Sequence, residues 1–350
     1  MSYPSISDLA GKVCVVTGGA SFIGSHLVEL LVSCGASVRV IDDLTSGRIE
    51  NLDAVVGDID FTADSVRNTD VVDQVFAGAD IVFHLAAIHG GRGYIEKYPE
   101  KMMENLVLDW SVFSRAERAG VGRVVHASSA CVYPTNLQSS ATERLLLQEA
   151  SAGFESPEQS FPDGAYGWGK LMGEYQLKTM SQASSSMSGR SARIFTAYGS
   201  RENESHAIVA LWAKAALELD PYPIWGDGKQ TRNFTHVSDT VHGLALLGAD
   251  SRDIRFDSFN LGSTIHHTIQ ETVEEIFDLR GWRPSDFDYQ LDKPVGVLSR
   301  AADNSKVQEI LGWQPTKSLR DGLTEMGTWY DRARLPGLDR KTLEESLIAR

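Results

Sequence analysis

A glycine-rich turn between a strand and a helix places the strongest constraint on this chain. Residues 17–24 (TGGASFIG) follow a short β-branched apolar run (KVCVVT) and lead into a segment with helical spacing of leucines, residues 22–34. Glycines at such a turn let backbone N–H groups approach a pyrophosphate, and the positive end of the helix dipole favours negative charge there. We therefore expect a dinucleotide to bind at this turn. The expected contact residues are Gly18, Ser21, Phe22, Ile23 and Gly24.

An acidic residue follows the second predicted strand and indicates which dinucleotide binds. The strand covers residues 37–41, and Asp42 comes directly after it. A carboxylate at this position can accept hydrogen bonds from the adenosine ribose, and its charge repels a 2′-phosphate. The sequence therefore favours NAD over NADP as the cofactor.

Strands and helices alternate through the first half of the chain. Residues 81–85 and 123–127 have the composition of buried strands, and a predicted helix over residues 102–119 lies between them. Repeated βαβ units predict an α/β fold with a Rossmann-type, doubly wound parallel sheet. Beyond residue 190 the pattern loosens, which indicates a smaller C-terminal α/β lobe that binds the substrate. The predicted domains are an NAD-binding domain over 1–190, rejoined by 236–264, and a substrate lobe within 191–350, mainly 191–235 and 265–335.

The charge and the cysteines exclude several classes of function. With 33 Lys and Arg against 47 Asp and Glu, the net charge is −14, which argues against a nucleic-acid partner. The three cysteines show no metal-ligand spacing, so we expect no metal and a reducing compartment. The N-terminus lacks a signal sequence, and no apolar run is long enough to span a bilayer. These features predict a cytoplasmic enzyme without a membrane partner, whose anionic substrate is bound by a few arginines and helix N-termini.

A tyrosine and a lysine four residues apart supply candidate catalytic groups. Tyr166 and Lys170 lie on a predicted helix over residues 166–181, so their side chains share one face. A cationic amine near the phenol is expected to lower its pKa from the usual ~10, so that the phenolate takes a proton from a sugar hydroxyl as hydride leaves. The pair follows the fifth strand and the segment 128–134 (SSACVYP), and this context makes the motif specific.

Together these motifs resemble the extended short-chain dehydrogenases/reductases that modify nucleotide sugars. The shared motifs occur in the family's order along nearly the whole chain: TGGASFIGSHL, VVGDI, FHLAA, SSACVYP, YGWGK, WGDGKQTRNFTHVSD and LGW. The resemblance implies a nucleotide-diphosphate-sugar substrate, NAD, catalysis by Ser129, Tyr166 and Lys170, and a homodimer formed through the helices over 102–119 and 166–181. It also implies cofactor contacts at Asp58, Ile59, Leu85, Ala86 and Ala87, in addition to Tyr166 and Lys170.

Two segments are similar to GDP-mannose 3,5-epimerases in particular: the loop over residues 89–94 (HGGRGY) and the segment SSACVYP. This resemblance implies that Cys131 is one acid/base of the reaction. It implies that His206, at the position of that subfamily's lysine, is the second. The alternatives are a small buried side chain for Cys131 and a helix cap for His206. The implied substrate contacts are Gly90, Gly91, Arg92, Ser129, Trp225, Arg232 and Arg300.

Three classes of function are compatible with these motifs. The leading hypothesis is a redox-neutral epimerase that oxidises C4, inverts C3 or C5 and reduces C4 again; a 4-epimerase is its main rival. A dehydratase or decarboxylase is less well supported, because the acidic residues that those relatives carry at Ala130 and Cys131 are missing. A non-catalytic regulator would be expected to lose the Ser, Tyr and Lys set, which is intact.

Overall fold

The structure is a computed structural model that describes residues 3–347. Its strands are β1 (Val13–Thr17), β2 (Ser37–Asp42), β3 (Ile59–Ala63), β4 (Ile81–His84), β5 (Arg123–Ser129), β6 (Ser188–Ile194), β7 (Ala197–Tyr198), β8 (Tyr222–Trp225), β9 (Thr231–Arg232), β10 (Thr235–His236), β11 (Phe256–Leu261), β12 (His267–Thr268) and β13 (Phe287–Gln290). Its α-helices are α1 (Phe22–Ser33), α2 (Thr69–Phe76), α3 (Arg92–Lys97), α4 (Pro99–Met102), α5 (Asn105–Arg118), α6 (Gly164–Ala183), α7 (Ala207–Ala216), α8 (Val237–Ala249), α9 (Ile269–Arg280), α10 (Ser305–Leu311), α11 (Leu319–Ala333) and α12 (Arg340–Ser346). Short 3-10 helices cover Ile6–Leu9, Ile49–Leu52, Val56–Asp58, Ala130–Val132, Thr135–Gln138, Glu149–Ser151 and Pro157–Gln159.

Seven strands form one parallel sheet in the order β11-β6-β5-β4-β1-β2-β3. From β1 the chain builds outward to β2 and β3 on one side, and then to β4, β5 and β6 on the other. The strand order therefore reverses between β1 and β4. Ligands of open α/β sheets bind at the carboxyl edge beside such a reversal. The predicted Rossmann-type, doubly wound parallel sheet is confirmed.

Helices bury both faces of this sheet. Val15 and Val16 are neighbours in β1, but they belong to different hydrophobic clusters. Val16 lies in a cluster with Leu27 of α1 and Leu244 of α8, whereas Val15 lies in a cluster with Phe113 of α5. A strand buried on both faces needs apolar residues in succession, which is why the run KVCVVT predicts β1.

The C-terminal part of the chain forms a smaller lobe in which α7, α9 and α11 pack beside the parallel pair β8–β13. Local sequence delimits α9: Thr268 and Glu271 form a capping box at its start, and Gly281 (φ 65°) ends it in the left-handed conformation. The chain returns to the main sheet through α8 and β11, which pairs with β6. The division of the chain at residue 190 stays a prediction.

The helices α5 and α6 pack closely against each other. A Cβ atom on Gly173 of α6 would lie 2.2 Å from a carboxylate oxygen of Asp109 on α5, so glycine permits this approach. At 20 residues, α6 is the longest helix of the described chain, and it carries the buried charged residues Lys170 and Glu174. Over residues 3–347, no helix combines the length and hydropathy needed to cross a membrane.

Candidate active site

A cleft of about 350 Å³ opens at the carboxyl edge of the sheet, beside the reversal of strand order. It lies between the turn after β1, the ends of β2 and β3, and the loop after β4. The residues predicted to bind NAD that line this cleft are Gly18, Ser21, Asp42, Leu85, Ala86 and Ala87.

The turn after β1 requires glycine for two steric reasons. Gly18 has a φ of 73°, and a Cβ atom there would lie 2.8 Å from the backbone nitrogen of Ala86. A Cβ atom on Gly24 would lie 2.1 Å from the carbonyl oxygen of Gly18. The Ser21 hydroxyl donates to the same carbonyl instead of capping α1. The first N–H groups of α1 therefore have no side-chain cap, and this uncapped helix start suits a pyrophosphate.

Asp42 is held in place at the end of β2. Its carboxylate accepts hydrogen bonds from the N–H groups of Ala20 (2.9 Å) and Leu44 (2.8 Å). Asp43 and Asp64 also line the cleft. Three carboxylates in one cleft disfavour a 2′-phosphate through charge repulsion, as the sequence predicts for an NAD site.

The predicted cofactor contacts at Asp58 and Ile59 need correction. Asp58 is exposed and precedes β3, and Ile59 is the first residue of that strand, so both lie at the amino edge of the sheet. Asp64 and Ser65 directly follow β3 and line the cleft. Ligands bind at the carboxyl ends of parallel strands, and β3 continues beyond the VVGDI motif on which the prediction was based.

Ser129 lies beside both Cys131 and Tyr166, two of the predicted catalytic residues. It ends β5, and its hydroxyl accepts a hydrogen bond from the N–H of Cys131 at 3.1 Å. The Tyr166 phenol also lies near the Ser129 side chain. A Cβ atom on Gly167 would lie 2.3 Å from the carbonyl oxygen of Cys131, so this glycine allows α6 to lie directly against the cysteine segment.

Lys170 acts on Tyr166 differently from the sequence-based expectation. Its amine lies 5.9 Å from the centroid of the Tyr166 ring and donates a hydrogen bond to the carbonyl of Ala127 at 2.8 Å. Burial raises the pKa of Tyr166, and the negative charges of Cys131 and Asp109 raise it further. The expected lowering of the Tyr166 pKa is therefore wrong, because desolvation of the phenolate outweighs the stabilising effect of the nearby Ser129.

Two predicted substrate-binding arginines converge on one carboxylate beside the cysteine. Arg300 donates hydrogen bonds to the sulfur of Cys131 at 3.3 Å and to Asp163 at 3.0 Å. Arg92 donates to the other oxygen of Asp163 at 2.9 Å. Asp163 is buried and was not predicted from the sequence, since its role depends on arginines that lie far away along the chain.

Arg232 completes a cluster of positive charge. Its guanidinium donates to the carbonyls of Thr231, Val295 and Val297. Burial lowers the pKa of Arg232 to about 9, and the positive charges of Arg300 and Arg92 contribute. Arg92 and Arg300 pair with Asp163, Arg92 also pairs with Glu96, and Arg232 donates to backbone carbonyls. Three guanidiniums therefore stand against two carboxylates, so an anion such as a diphosphate would be stabilised here. The predicted substrate residue Trp225 ends β8, next to Gly226, which packs on Val295.

His206 lies beside the glycine-rich loop that follows β4. A Cβ atom on Gly91 would lie 1.8 Å from the carbonyl oxygen of Ser205, and the rings of His89 and His206 are 6.0 Å apart. His206 occupies the N-cap position of α7 but forms no side-chain cap hydrogen bond, so the alternative of a helix cap is wrong. Burial lowers the pKa of His206 to about 4, although 32% of its side chain still reaches solvent.

One further group near His206 was missed by sequence reasoning. A carboxylate oxygen of Glu202 lies 3.6 Å from Nδ1 of His206, and the Glu202 side chain is 4% exposed. The spacing of four residues is the only sequence signal for this pair. Among residues 3–347, no group of three or more His, Cys, Asp or Glu side chains is placed to hold a metal ion.

Comparison with known proteins places these residues in a family. Residues 14–262 match the NAD dependent epimerase/dehydratase family. GDP-mannose 3,5-epimerase 1 of Oryza sativa subsp. japonica is 32% identical over 319 residues, covering 90% of this chain and 80% of the relative. UDP-glucuronic acid decarboxylase 2 of Arabidopsis thaliana is 32% identical over 320 residues, covering 90% of this chain and 67% of the relative.

A solved structure gives the same assignment. MoeE5 in complex with UDP-glucuronic acid and NAD is 30% identical to this chain, with a TM-score of 0.76 over 92% of this chain and 100% of MoeE5. The prediction of NAD as the cofactor is confirmed, and the glycine turn, the Asp42 carboxylate and the cleft fit it. The chain belongs to the NAD-dependent epimerase/dehydratase family.

Proposed function

We propose that this enzyme epimerises a nucleotide-diphosphate sugar at C3 or C5 by transient oxidation at C4. The observation that carries the proposal is the environment of Cys131. Its sulfur accepts a hydrogen bond from Arg300, and its backbone N–H donates to Ser129, which also contacts Tyr166. A candidate carbon base therefore lies next to a candidate oxygen base, so both can act on one sugar ring.

The first step is oxidation of the sugar at C4. NAD, when bound, supplies an oxidised nicotinamide that accepts hydride and adds a positive charge. Tyr166 takes the proton of the C4 hydroxyl, and the nearby Ser129 hydroxyl orients that group. Because burial raises the pKa of Tyr166, the phenolate depends on the positive charge of Lys170 and on that of the bound cofactor.

The second step inverts a neighbouring carbon. The C4 ketone makes the hydrogens on C3 and C5 acidic, since each carbanion is stabilised as an enolate. Cys131, whose sulfur accepts a hydrogen bond from Arg300 at 3.3 Å, is the base that removes such a proton. His206 delivers a proton to the opposite face, and hydride then returns to C4, so the reaction involves no net redox change.

The arginine cluster favours binding of the substrate through its diphosphate group. Arg92 and Arg300 pair with Asp163, and Arg92 also pairs with Glu96, so with Arg232 the cluster keeps one positive charge in excess near Cys131. A diphosphate bridging these guanidiniums would fix the distance between the sugar and the cysteine.

Two other reactions are the alternatives. A 4-epimerase would need only Ser129, Tyr166 and NAD, and it would never break a bond at C3 or C5. A decarboxylase is favoured by the equal identity of this chain to the decarboxylase and the epimerase relatives. Against it, Cys131 stands where such decarboxylases usually carry a glutamate.

The reactions can be separated by one experiment in deuterated water. The purified enzyme is incubated with a panel of GDP-, UDP- and dTDP-sugars, including uronic acids, and products are read by NMR and mass spectrometry. We expect deuterium at C3 or C5, suppressed in Cys131→Ser because a hydroxyl is a much weaker base than a thiolate. Inversion at C4 without carbon-bound deuterium would establish the 4-epimerase, and loss of CO₂ from a uronic acid would establish the decarboxylase.

The proposed assembly is a homodimer formed through α5 and α6. These adjacent helices expose large apolar side chains: Val107 is 55% and Trp110 57% exposed on α5, and Trp168 is 39% and Tyr175 41% exposed on α6. Two such helices from each subunit would bury this surface as a four-helix bundle.

A further inference from the structure

Glu202 is an isolated acid behind His206. Its Oε1 lies 3.6 Å from Nδ1 of His206, and its Oε2 is buried without a hydrogen-bond partner. Among the ion pairs of residues 3–347, none joins Glu202 to an arginine or lysine. The neighbouring Glu204 differs, because it binds Arg334 and the hydroxyl of Tyr330.

The surroundings keep both members of the Glu202–His206 pair uncharged at neutral pH. Burial raises the pKa of Glu202 well above its usual range and lowers the pKa of His206 to about 4. His206 also stands at the amino end of α7, where the helix dipole disfavours a cation. The titratable ring facing it from another element is His89, 6.0 Å away. The stable state is therefore a protonated carboxyl next to a neutral imidazole.

A neutral imidazole cannot by itself supply the proton that epimerisation needs. Its single N–H proton is far too weakly acidic to be lost unless the other ring nitrogen gains a proton at the same time. Nδ1 of His206 faces Glu202, while the ring lies beside the loop that carries Gly91. A proton held on Glu202 meets this requirement.

We propose that Glu202 stores the proton that His206 delivers to the sugar. As the N–H bond at Nε2 breaks and a C–H bond forms on the substrate, the proton of the Glu202 carboxyl moves to Nδ1. The imidazole stays neutral and changes tautomer, and Glu202 takes over the negative charge of the enolate. Water in the cleft then carries the proton gained by Cys131 back to the pair. This inference rests on the proposed function, whereas the protonation state on which it depends does not.

The protonation state is measured without substrate, on the NAD-bound enzyme. Infrared difference spectra between wild type and Glu202→Gln are expected to show the carbonyl stretch of a protonated carboxyl at about pH 7.5. NMR of isotope-labelled histidine, assigned with His206→Gln, is expected to show a neutral ring with its proton on Nε2. A carboxylate band together with an imidazolium His206 would overturn the proposal.

The pH dependence of the melting temperature provides a second test, and the protonation state of Glu202 fixes the direction of the expected change. A buried acid with a raised pKa loses its proton on unfolding, so it destabilises the fold increasingly as pH rises above about 4.3, the usual pKa of a glutamate. Glu202→Gln should therefore melt higher than wild type at about pH 8, and the gap should narrow towards pH 5. The matched control Glu204→Gln removes a partner of Arg334 and should melt lower. A Glu202→Gln variant that is less stable at every pH would contradict the inference.

The catalytic role is measured by isotope exchange. In Glu202→Gln we expect Cys131 to exchange substrate hydrogen with solvent still, while formation of the inverted product falls ~10²-fold, the magnitude for a lost acid/base group. Equal loss of exchange and inversion would show that Glu202 only maintains the structure. Absence of C3 and C5 exchange in the wild type would overturn the proposed function, whereas an ionised Glu202 overturns the relay alone.

Discussion

The guanidinium of Arg300 donates one hydrogen bond to the sulfur of Cys131 and another to the carboxylate of Asp163. Arg300 was predicted as a contact of the substrate diphosphate, and Cys131 as a carbon base. Under the proposed function, the cation that contacts the diphosphate would therefore also contact the sulfur of the carbon base. A substrate that engages Arg300 would therefore also alter the base that acts on its sugar.

Replacing Arg300 with glutamine should impair proton abstraction more than hydride transfer. The cation that stabilises negative charge on sulfur is lost, so C3 or C5 exchange should fall by ~10² or more. The transient NADH absorbance, which reports oxidation at C4, should persist at saturating substrate. If instead only KM rises and the ratio of exchange to hydride transfer is unchanged, Arg300 serves binding alone.

Tyr166→Phe should abolish turnover while NAD binding is retained, because the change removes a proton acceptor but almost no volume. We expect kcat to fall by ~10² or more. NMR of the product measures turnover, and calorimetry measures the affinity for NAD. Tyr289→Phe, at an exposed tyrosine of β13 outside the proposed dimer surface, is the matched control and should keep full activity. Activity above about a tenth of wild type in Tyr166→Phe would show that another group accepts the proton.

The cofactor site should discriminate between NAD and NADP by charge. Asp42, Asp43 and Asp64 line the cleft. We expect NAD to bind at least ~10-fold more tightly than NADP, which corresponds to about 1.4 kcal/mol of binding free energy. Asp64→Asn should change NAD affinity, whereas Asp58→Asn should not, since only Asp64 lies at the carboxyl edge of the sheet. Equal affinities for the two cofactors in a titration would contradict the assignment.

How far the fold could be predicted depended on where each strand lies in the sheet. The central strands β1, β4 and β5 are buried on both faces, so their apolar runs were recognised. The edge strands β3 and β11 (IDFTA and FDSFNL) are partly exposed and mix charged with apolar residues, which hides them from periodicity. The helix α8 is buried on most sides, so it lacks the polar face that marks an amphipathic helix.

Whether a site residue could be predicted also depended on how recognisable the element next to it is in the sequence. Groups that follow a recognisable strand, such as Ser129 and the Gly18 turn, could be placed because the ends of parallel strands meet at one edge. Asp163 and Glu202 lie in irregular segments, and their roles depend on partners brought close only by folding. The misplacement of Asp58 has the same origin, since the end of an edge strand is invisible in the sequence.

Disrupting the apolar surface of α5 should produce monomers. Trp110→Glu places a charge in the centre of the proposed four-helix bundle, where burial without a partner is costly. Light scattering at micromolar concentration should report a dimer for wild type and about half that mass for the variant. Leu291→Glu, at an exposed apolar residue after β13, is the control and should leave the mass unchanged. A wild-type monomer would contradict the proposed assembly.

The enzyme should lose stability as the pH falls below about 6.5. Burial lowers the pKa of His84, which is 1% exposed between Thr17 and Asp109, and it also lowers the pKa of His26 and His206. The unfolded chain protonates these rings near pH 6.5, whereas the folded protein keeps them neutral, so unfolding takes up protons and becomes easier.

Each histidine contributes at most about 1.4 kcal/mol per unit of pKa change, and less where solvent reaches the ring. The lowered pKa of Asp109 affects the free energy of unfolding only below about pH 4, so its effect is separate from that of the histidines below about pH 6.5. Glu202 acts in the opposite sense, so the test uses Glu202→Gln: its urea unfolding at several pH values should show a free energy of unfolding that falls as the pH drops from 6.5 to 5. A flat curve across that interval would mean that these rings accept protons in the folded protein.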